Sequence, residues 1–349
     1  MPLHGIHHFA IPVILLFSTD MNGIENTRGV RTPEPATAIG RSVISSDFGD
    51  RAYSVLTTAC AACIPLLLIA IAVEIGRAAW PALHQLGFSF LTSSEWDVPA
   101  GKFGAAPAIF GTVVSSFLAL IIATPLALGV ALFLSELAPR WLQQPVAFLV
   151  DLLAAIPSVV YGLWGIFVLI PLLRTDVIPF LRDTLHLAAT PFFSGPAYGP
   201  SMLAAGVILA IMALPYISAV SREVLRAVPQ SQREAALALG ATRWEVIRDA
   251  VLPNARSGIA GGIILGLGRA LGETMSVTMV IGNRAEISAS LLAPGYTIAS
   301  LIANEFSEAV SDLHLSALMA LGAVLLVITI IVNAIARWLV WTVAVKNDA

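Results

Sequence analysis

Six blocks of mostly apolar residues, at about 53–75, 106–134, 146–173, 201–220, 257–282 and 314–345, constrain this chain more than any other feature of it. A helix needs roughly 20 predominantly apolar residues to cross a hydrocarbon core, and each block reaches that length. The segments between them are richer in charge, Pro and Gly. Of the 349 residues 57% are hydrophobic and only 12% are charged, about half the charge of a typical water-soluble domain. The expected fold is an all-α integral membrane protein with about six transmembrane helices. The apolar stretch from Phe9 to Phe17 is half a span long, has no Lys or Arg before it and no clear small-residue cleavage site after it. It counts neither as a span nor as a signal peptide.

Six spans put both termini on one side, and the basic residues choose the side. With the N-terminus inside, Arg28, Arg31, Arg41, Arg51, Arg140, Arg222, Arg226, Arg233, Arg243, Arg248, Arg256, Arg337 and Lys346 lie in the cytoplasm. Only Arg77, Lys102, Arg174, Arg182 and Arg284 then face outward. Both termini are therefore expected to be cytoplasmic. The one basic residue left over, Arg269, falls inside the fifth span.

The net charge of −3 does not point to nucleic acid, since the basic residues are dispersed over separate loops. Cys60 and Cys63 form a C-x-x-C spacing inside the first apolar block, without other soft ligands or a βαβ context. They are expected to be small, buried packing residues. Residues 1–51 read as a polar, flexible cytoplasmic tail and 52–349 as the transmembrane domain.

The long inside loop at 221–256 has a pattern of its own. Ser231 precedes Glu234 by three residues and Thr242 precedes Glu245 by three, two S/T-x-x-E capping boxes in succession. Two short helices are expected, one over about 232–239 stopping at Gly240, the other from about 243 to Leu252 stopping at Pro253. Ala235 and Ala236 leave one face of the first helix nearly flat, flanked by Arg233, Arg243 and Arg248. Such a hairpin either caps its own helices or docks another protein.

The string EAALALGATRWEVIRDAVLP, residues 234–253, resembles the E-A-A-x3-G-x9-I-x-L-P signature of permease subunits of bacterial ABC importers. Glu234, Ala235, Ala236, Gly240, Leu252 and Pro253 match in register, while Ala250 stands where the signature has Ile. The resemblance implies the MetI-like permease fold, and for residues 231–253 a coupling role: the short helix fits a cleft in a separate ATPase subunit. The chain has no G-x-x-x-x-G-K-[ST] phosphate loop, so ATP and Mg are expected on partner ATPase subunits, with no cofactor here. Further strings, LLAAIPSVVYGLWG (152–165), FSGPAYG (193–199), GLGRALGETMSVTMVIGN (266–283) and LIANEFSEA (301–309), are similar to the C-type permease of the bacterial phosphate ABC importer. That similarity covers about residues 50–345. It implies import of inorganic phosphate across the bacterial cytoplasmic membrane by a transport subunit that is not itself an enzyme. The implied partners are a related sister permease, two ATPase subunits, an extracytoplasmic phosphate-binding protein and membrane lipid.

A charge at membrane depth is costly unless paired or hydrated, so Arg269 is a functional candidate by default. Glu273 is four residues on, one turn away on an uninterrupted helix. On such a helix Gly258, Gly262, Gly266, Arg269, Glu273 and Ser276 share one narrow stripe. Glycines spaced by four let a neighbouring backbone approach, so the stripe is expected to face protein or a water-lined path. Arg269, Glu273 and Ser276 are the candidate pathway residues. Arg269 would attract the anion with a planar fork of donors, and Glu273 would compete for it. The other reading of the pair is an architectural clamp between helices. Asp151 and Glu74 read as interfacial, Trp338 and Trp341 as an anchor at the end of the last span, and Pro157, Gly162 and Gly165 as a kink in the third.

A permease for sulfate or molybdate would share the coupling loop and is the nearest alternative. An intramembrane enzyme would need clustered nucleophiles or metal ligands, and the spans hold neither H-E-x-x-H nor a nucleophile paired with His. A passive channel has no use for an ATPase-docking loop.

Overall fold

The computed structural model describes residues 47–184, 186, 190–196 and 198–345. The expected tail therefore lies mostly outside the described residues, as do the Phe9 to Phe17 stretch and Lys346. The chain divides into two units, residues 1–60 and 61–349. In the first the structure describes helix only, the start of α1 (Asp47–Leu86), so the residues from Asp47 to Arg51 are helical.

The second unit holds the remainder of α1 and the other helices. Six described helices are long and apolar enough to cross a membrane. After α1 come α2 (Ala106–Leu137), α4 (Ser158–Thr184), α5 (Met202–Ala227), α7 (Arg243–Leu271) and α10 (Asp312–Val345). Shorter elements join them: the hairpin β1 (Trp96–Asp97) and β2 (Lys102–Phe103), α3 (Arg140–Ala155), α6 (Gln230–Ala238), α8 (Met275–Val280) and α9 (Ile298–Glu305).

The core forms around α5, which packs along α2 on one side and α7 on the other. Helices in lipid gain little from apolar contact alone and associate where small residues allow close packing. Here Ala119, Ala123 and Ala127 of α2 and Ala204, Ala205, Ala210 and Ala213 of α5 are fully or almost fully buried. On α7 the glycine stripe does the same: a side chain at Gly258 would run into Val224, one at Gly262 into Val220, and one at Gly266 into Ile217. The stripe thus faces protein.

Three sequence expectations need correction. The third apolar block is two helices. Pro157, with φ −58° and ψ 141°, cannot continue a helix and holds Ile156 extended. Residues 140–155 form α3, which buries none of its residues, and the span starts at Ser158 and runs to Thr184. Asp151 therefore lies on α3, where it pairs with Arg222 of α5 at 3.6 Å. The fifth block is also broken: α7 ends at Leu271 and α8 begins at Met275. Finally, Cys60 and Cys63 are exposed on α1, since a span sets apolar residues against lipid as well as against protein.

Within the second unit the far end of α1 is fastened to α10. Ser316 Oγ accepts from the Ala82 N–H at 3.0 Å and donates to the Ala78 carbonyl at 2.9 Å. An unbroken helix would pair those two groups with each other. Ser316 inserts between them beside Pro81, where the ladder is already weakened.

Candidate functional site

The coupling segment is built on two turns with different chemistry. Pro229 starts α6 directly at Gln230, so Ser231 sits inside the first helical turn and cannot cap it, and the expected box with Glu234 does not form. The second box does form. Thr242 Oγ1 accepts from the Glu245 N–H at 3.4 Å, and the Glu245 carboxylate accepts from the Thr242 N–H at 2.7 Å. Between them, Gly240 adopts φ +88°. Its N–H donates to Leu237 C=O at 2.9 Å and that of Ala241 to Ala236 C=O at 3.2 Å, the two bonds of a Schellman ending.

Pro253 does not end the second helix. Residues 246–251 wind as wider, π-type turns, and Pro253 enters just where the ordinary helix resumes at Leu252. The wider turns just before it take up the missing N–H, so α7 continues into the membrane. Leu252 and Ala250 pack beside Ala236 and Ala241 in a cluster around Leu225, Val246, Val251 and Ala255. The smaller Ala250 still fills its place in that cluster.

One face of α6 is therefore held inward by Ala236, and the other is open. Glu234 and Ala235 are exposed, Leu239 is 90% exposed and Trp244 62%. Each of these last two is a large apolar side chain left bare near the turn at Gly240, where a partner can cover it.

At the other site, Arg269 Nη1 lies 2.9 Å from Glu273 Oε2. The spacing is that expected from the sequence, but the setting differs. Arg269 is in the last turn of α7, Gly272 closes the helix, and Glu273 lies in the break before α8. The Arg269 side chain is 37% exposed while that of Glu273 is 3% exposed. Glu273 Oε1 also accepts the Ser276 N–H at 3.4 Å, at the start of α8. Ser276 is fully buried and its hydroxyl meets Met212 Sδ at 3.3 Å. The arrangement presents a cation at one side and keeps its counter-charge fixed behind it.

Sequence reasoning missed two further clusters. One joins Arg233 of α6 to Glu136, at the end of α2, at 2.8 Å. The other gathers Trp96, Glu305 and His314 between the hairpin, α9 and α10. A lone acid at a span end, Glu136, and another in the LIANEFSEA string, Glu305, were the available signals. Glu74 makes only an exposed contact with Arg77 at 3.7 Å.

A family described as "Binding-protein-dependent transport system inner membrane component" matches residues 123–344. The phosphate transport system permease protein PstC of Mesorhizobium japonicum is 47% identical over 302 residues, 86% of this chain and 92% of that one. The protein of the same name from Xylella fastidiosa is 47% identical over 307 residues, 87% and 94% of the two chains. Among solved structures, a bacterial ABC transporter involved in import of the acidic polysaccharide alginate superposes with TM-score 0.51 at 19% identity, over 82% of this chain and 96% of that one. That likeness shows a shared permease fold. The chain belongs to the family of inner-membrane components of binding-protein-dependent transport systems. It is a multi-pass membrane transport component, and membership implies a substrate-binding protein and ATPase subunits as partners.

Proposed function

We propose that this chain is the C-type permease subunit of a phosphate importer, moving inorganic phosphate across the bacterial cytoplasmic membrane into the cell. The observation that carries the reading is the half-exposed Arg269 beside a buried Glu273 at a break in a membrane helix. A guanidinium fork matches phosphate oxygens, and a fixed carboxylate behind it keeps the cation from holding the anion too tightly. Relatives at 47% identity carry phosphate transport in their names, which favours phosphate over sulfate or molybdate.

In this reading the residues that meet the ATPase are Glu234, Ala235 and Gly240 on the exposed side, with Ala236, Leu252 and Pro253 as their support. Both termini and the coupling loop are cytoplasmic. The complex holds a PstA-type sister permease, two ATPase subunits that bind ATP and Mg, and an extracytoplasmic phosphate-binding protein. ATPase closure draws the coupling helices together and opens the path outward, and hydrolysis resets it. Ser276 serves the pathway indirectly, since its buried N–H orients Glu273.

Uptake of radiolabelled phosphate by cells expressing the chain with its partner subunits tests the assignment, with sulfate and molybdate as competitors. Phosphate uptake untouched by either competitor is expected. Transport of sulfate or molybdate in its place overturns the substrate. Cysteines replacing Ser231 and Glu286 in a cysteine-free background should be labelled from the cytoplasm and from outside respectively, and the reverse overturns the orientation.

A further inference from the structure

The geometry points to Arg233 as the positioning residue that carries movement of α6 into two membrane helices at once, with Glu136 as its counterpart. The inference rests on the coupling role proposed above for the same loop. Arg233 lies on α6, but its guanidinium turns back from the exposed docking face. Nη1 donates to the Val228 carbonyl at 2.6 Å, and Nη2 donates to the Leu225 carbonyl and to Glu136 Oε1, both at 2.8 Å.

Those acceptors belong to different spans. Leu225 and Val228 lie at the end of α5, where the Leu225 carbonyl also accepts a long bond from the Val228 N–H at 3.4 Å and the last helical carbonyls look outside the helix for partners. Glu136 lies in the last turn of α2. One side chain therefore closes the C-terminal end of the central span and clamps it to the end of its neighbour. A cation at a helix C-terminus also meets the negative end of the helix dipole.

The clamp is sheltered. The side chains of Arg233 and Glu136 are 15% and 13% exposed, and Leu225, Val228, Val246 and Ala131 around them are buried. Charge-assisted bonds in such surroundings are short and directional, and they resist displacement better than exposed pairs. The apolar contacts of Ala236 could slide; three directed bonds from one rigid fork cannot, so a push on α6 reaches α2 and α5 together. Arg248, by contrast, is exposed and pairs only with its neighbour Asp249 at 3.6 Å.

The test uses the complete complex, with sister permease, ATPase subunits and binding protein, reconstituted in vesicles. Phosphate taken up per ATP hydrolysed is measured for wild type, Arg233→Gln, Arg233→Lys and Glu136→Gln. Arg233→Gln should keep its ATPase subunits and keep hydrolysing ATP, while phosphate moved per ATP falls at least about tenfold, since the three bonds of the guanidinium are lost together and one charge-assisted contact alone is of that scale. Arg233→Lys keeps the charge but not the fork and should fall between. Glu136→Gln retains both carbonyl bonds and should lower the ratio about threefold. A merely structural role lowers the amount of complex and leaves that ratio alone. An unchanged ratio in Arg233→Gln, or loss of the ATPase from it, overturns the inference; should that variant fail to insert, an unchanged ratio in Glu136→Gln does so. Leu239→Asp reports on docking separately: it should shed the ATPase, and retention there defeats the coupling reading itself.

Discussion

Arg269 and Glu273 form their 2.9 Å ion pair across the end of a helix, with Arg269 on the last turn of α7 and Glu273 beyond Gly272 in the break. An uninterrupted helix would hold both side chains on one rigid cylinder. The break instead anchors the carboxylate twice, to the guanidinium and to the Ser276 N–H, and leaves the guanidinium partly open. The buried carboxylate is thus held by two partners, while part of the guanidinium stays accessible to an anion.

The pair is tested with Arg269→Gln, Glu273→Gln and the double variant, measuring uptake and complex assembly together. Arg269→Gln should lower phosphate uptake about a hundredfold, equivalent to roughly 3 kcal/mol of charge-assisted binding, with the complex intact. In Glu273→Gln the amide oxygen can still accept from Ser276, so folding should hold and the effect should be milder, as slowed release. The double variant should stay inactive because no cation replaces Arg269. If the double variant regains transport lost in the singles, the pair is a clamp and the pathway reading fails.

Close packing gives a second prediction. A Cβ at Gly111 on α2 would collide with the backbone carbonyl of Tyr296, whereas one at Gly129 on the same helix meets nothing within 4 Å. Backbone cannot swing aside as a side chain can. Gly111→Ala should therefore destabilise the detergent-solubilised protein by about 1–3 kcal/mol, and Gly129→Ala should leave its stability unchanged or raise it by up to about 1 kcal/mol. Thermal unfolding of the two variants checks this, and equal midpoints would show that the α2 contact with Tyr296 is loose.

How far these sites were legible in the sequence depends on the range of the forces that make them. The Thr242–Glu245 box, the turn at Gly240 and the existence of six spans follow from local chemistry, and each is present. The Ser231 box failed because Pro229 starts the helix at the next residue, which a three-residue pattern does not weigh. Pro253 was expected to stop a helix that continues, because wider turns just before it absorb the missing donor. The Arg233 clamp joins residues 97 apart in sequence, and no periodicity marks such a pair. The burial expected for Cys60 and Cys63 assumed that apolar means covered by protein, an assumption that a bilayer span does not meet.

A third prediction concerns the hairpin between α1 and α2. Glu305 accepts the Trp96 indole N–H at 2.8 and 2.9 Å and bonds His314 Nε2 at 2.9 Å. His314 is itself buried and stacks on Phe103 at 5.3 Å between ring centres. Glu305→Ala leaves two sheltered groups without their partner and should cost about 2–4 kcal/mol. The loss should be local, read as faster amide exchange over residues 96–103 with α5 unaffected. Trp96→Phe removes only one donor and should give a smaller increase. Unchanged exchange in both variants would show that the hairpin is held by its strand pairing alone.

The last prediction isolates the backbone conformation at Gly240. Its φ of +88° is one that side chains with a Cβ adopt reluctantly, and nothing lies within 4 Å of where a Cβ would sit. Within this chain, a substitution there strains the backbone and meets no neighbouring atom. A left-handed residue costs about 1–2 kcal/mol for most side chains, more for a β-branched one and less for Asn. Gly240→Val should unseat the Schellman bonds of Leu237 and Ala236, turn the exposed Leu239 away from its place, and reduce both ATPase retention and phosphate uptake. Gly240→Asn should retain most of each, and Gly240→Ala should fall between, with insertion in the membrane equal in all three. The order Asn, Ala, Val is the decisive readout, because it tracks backbone cost alone and not side-chain size. If Gly240→Val co-purifies its ATPase and transports at the wild-type rate, α6 is not the docking element and the coupling assignment is wrong.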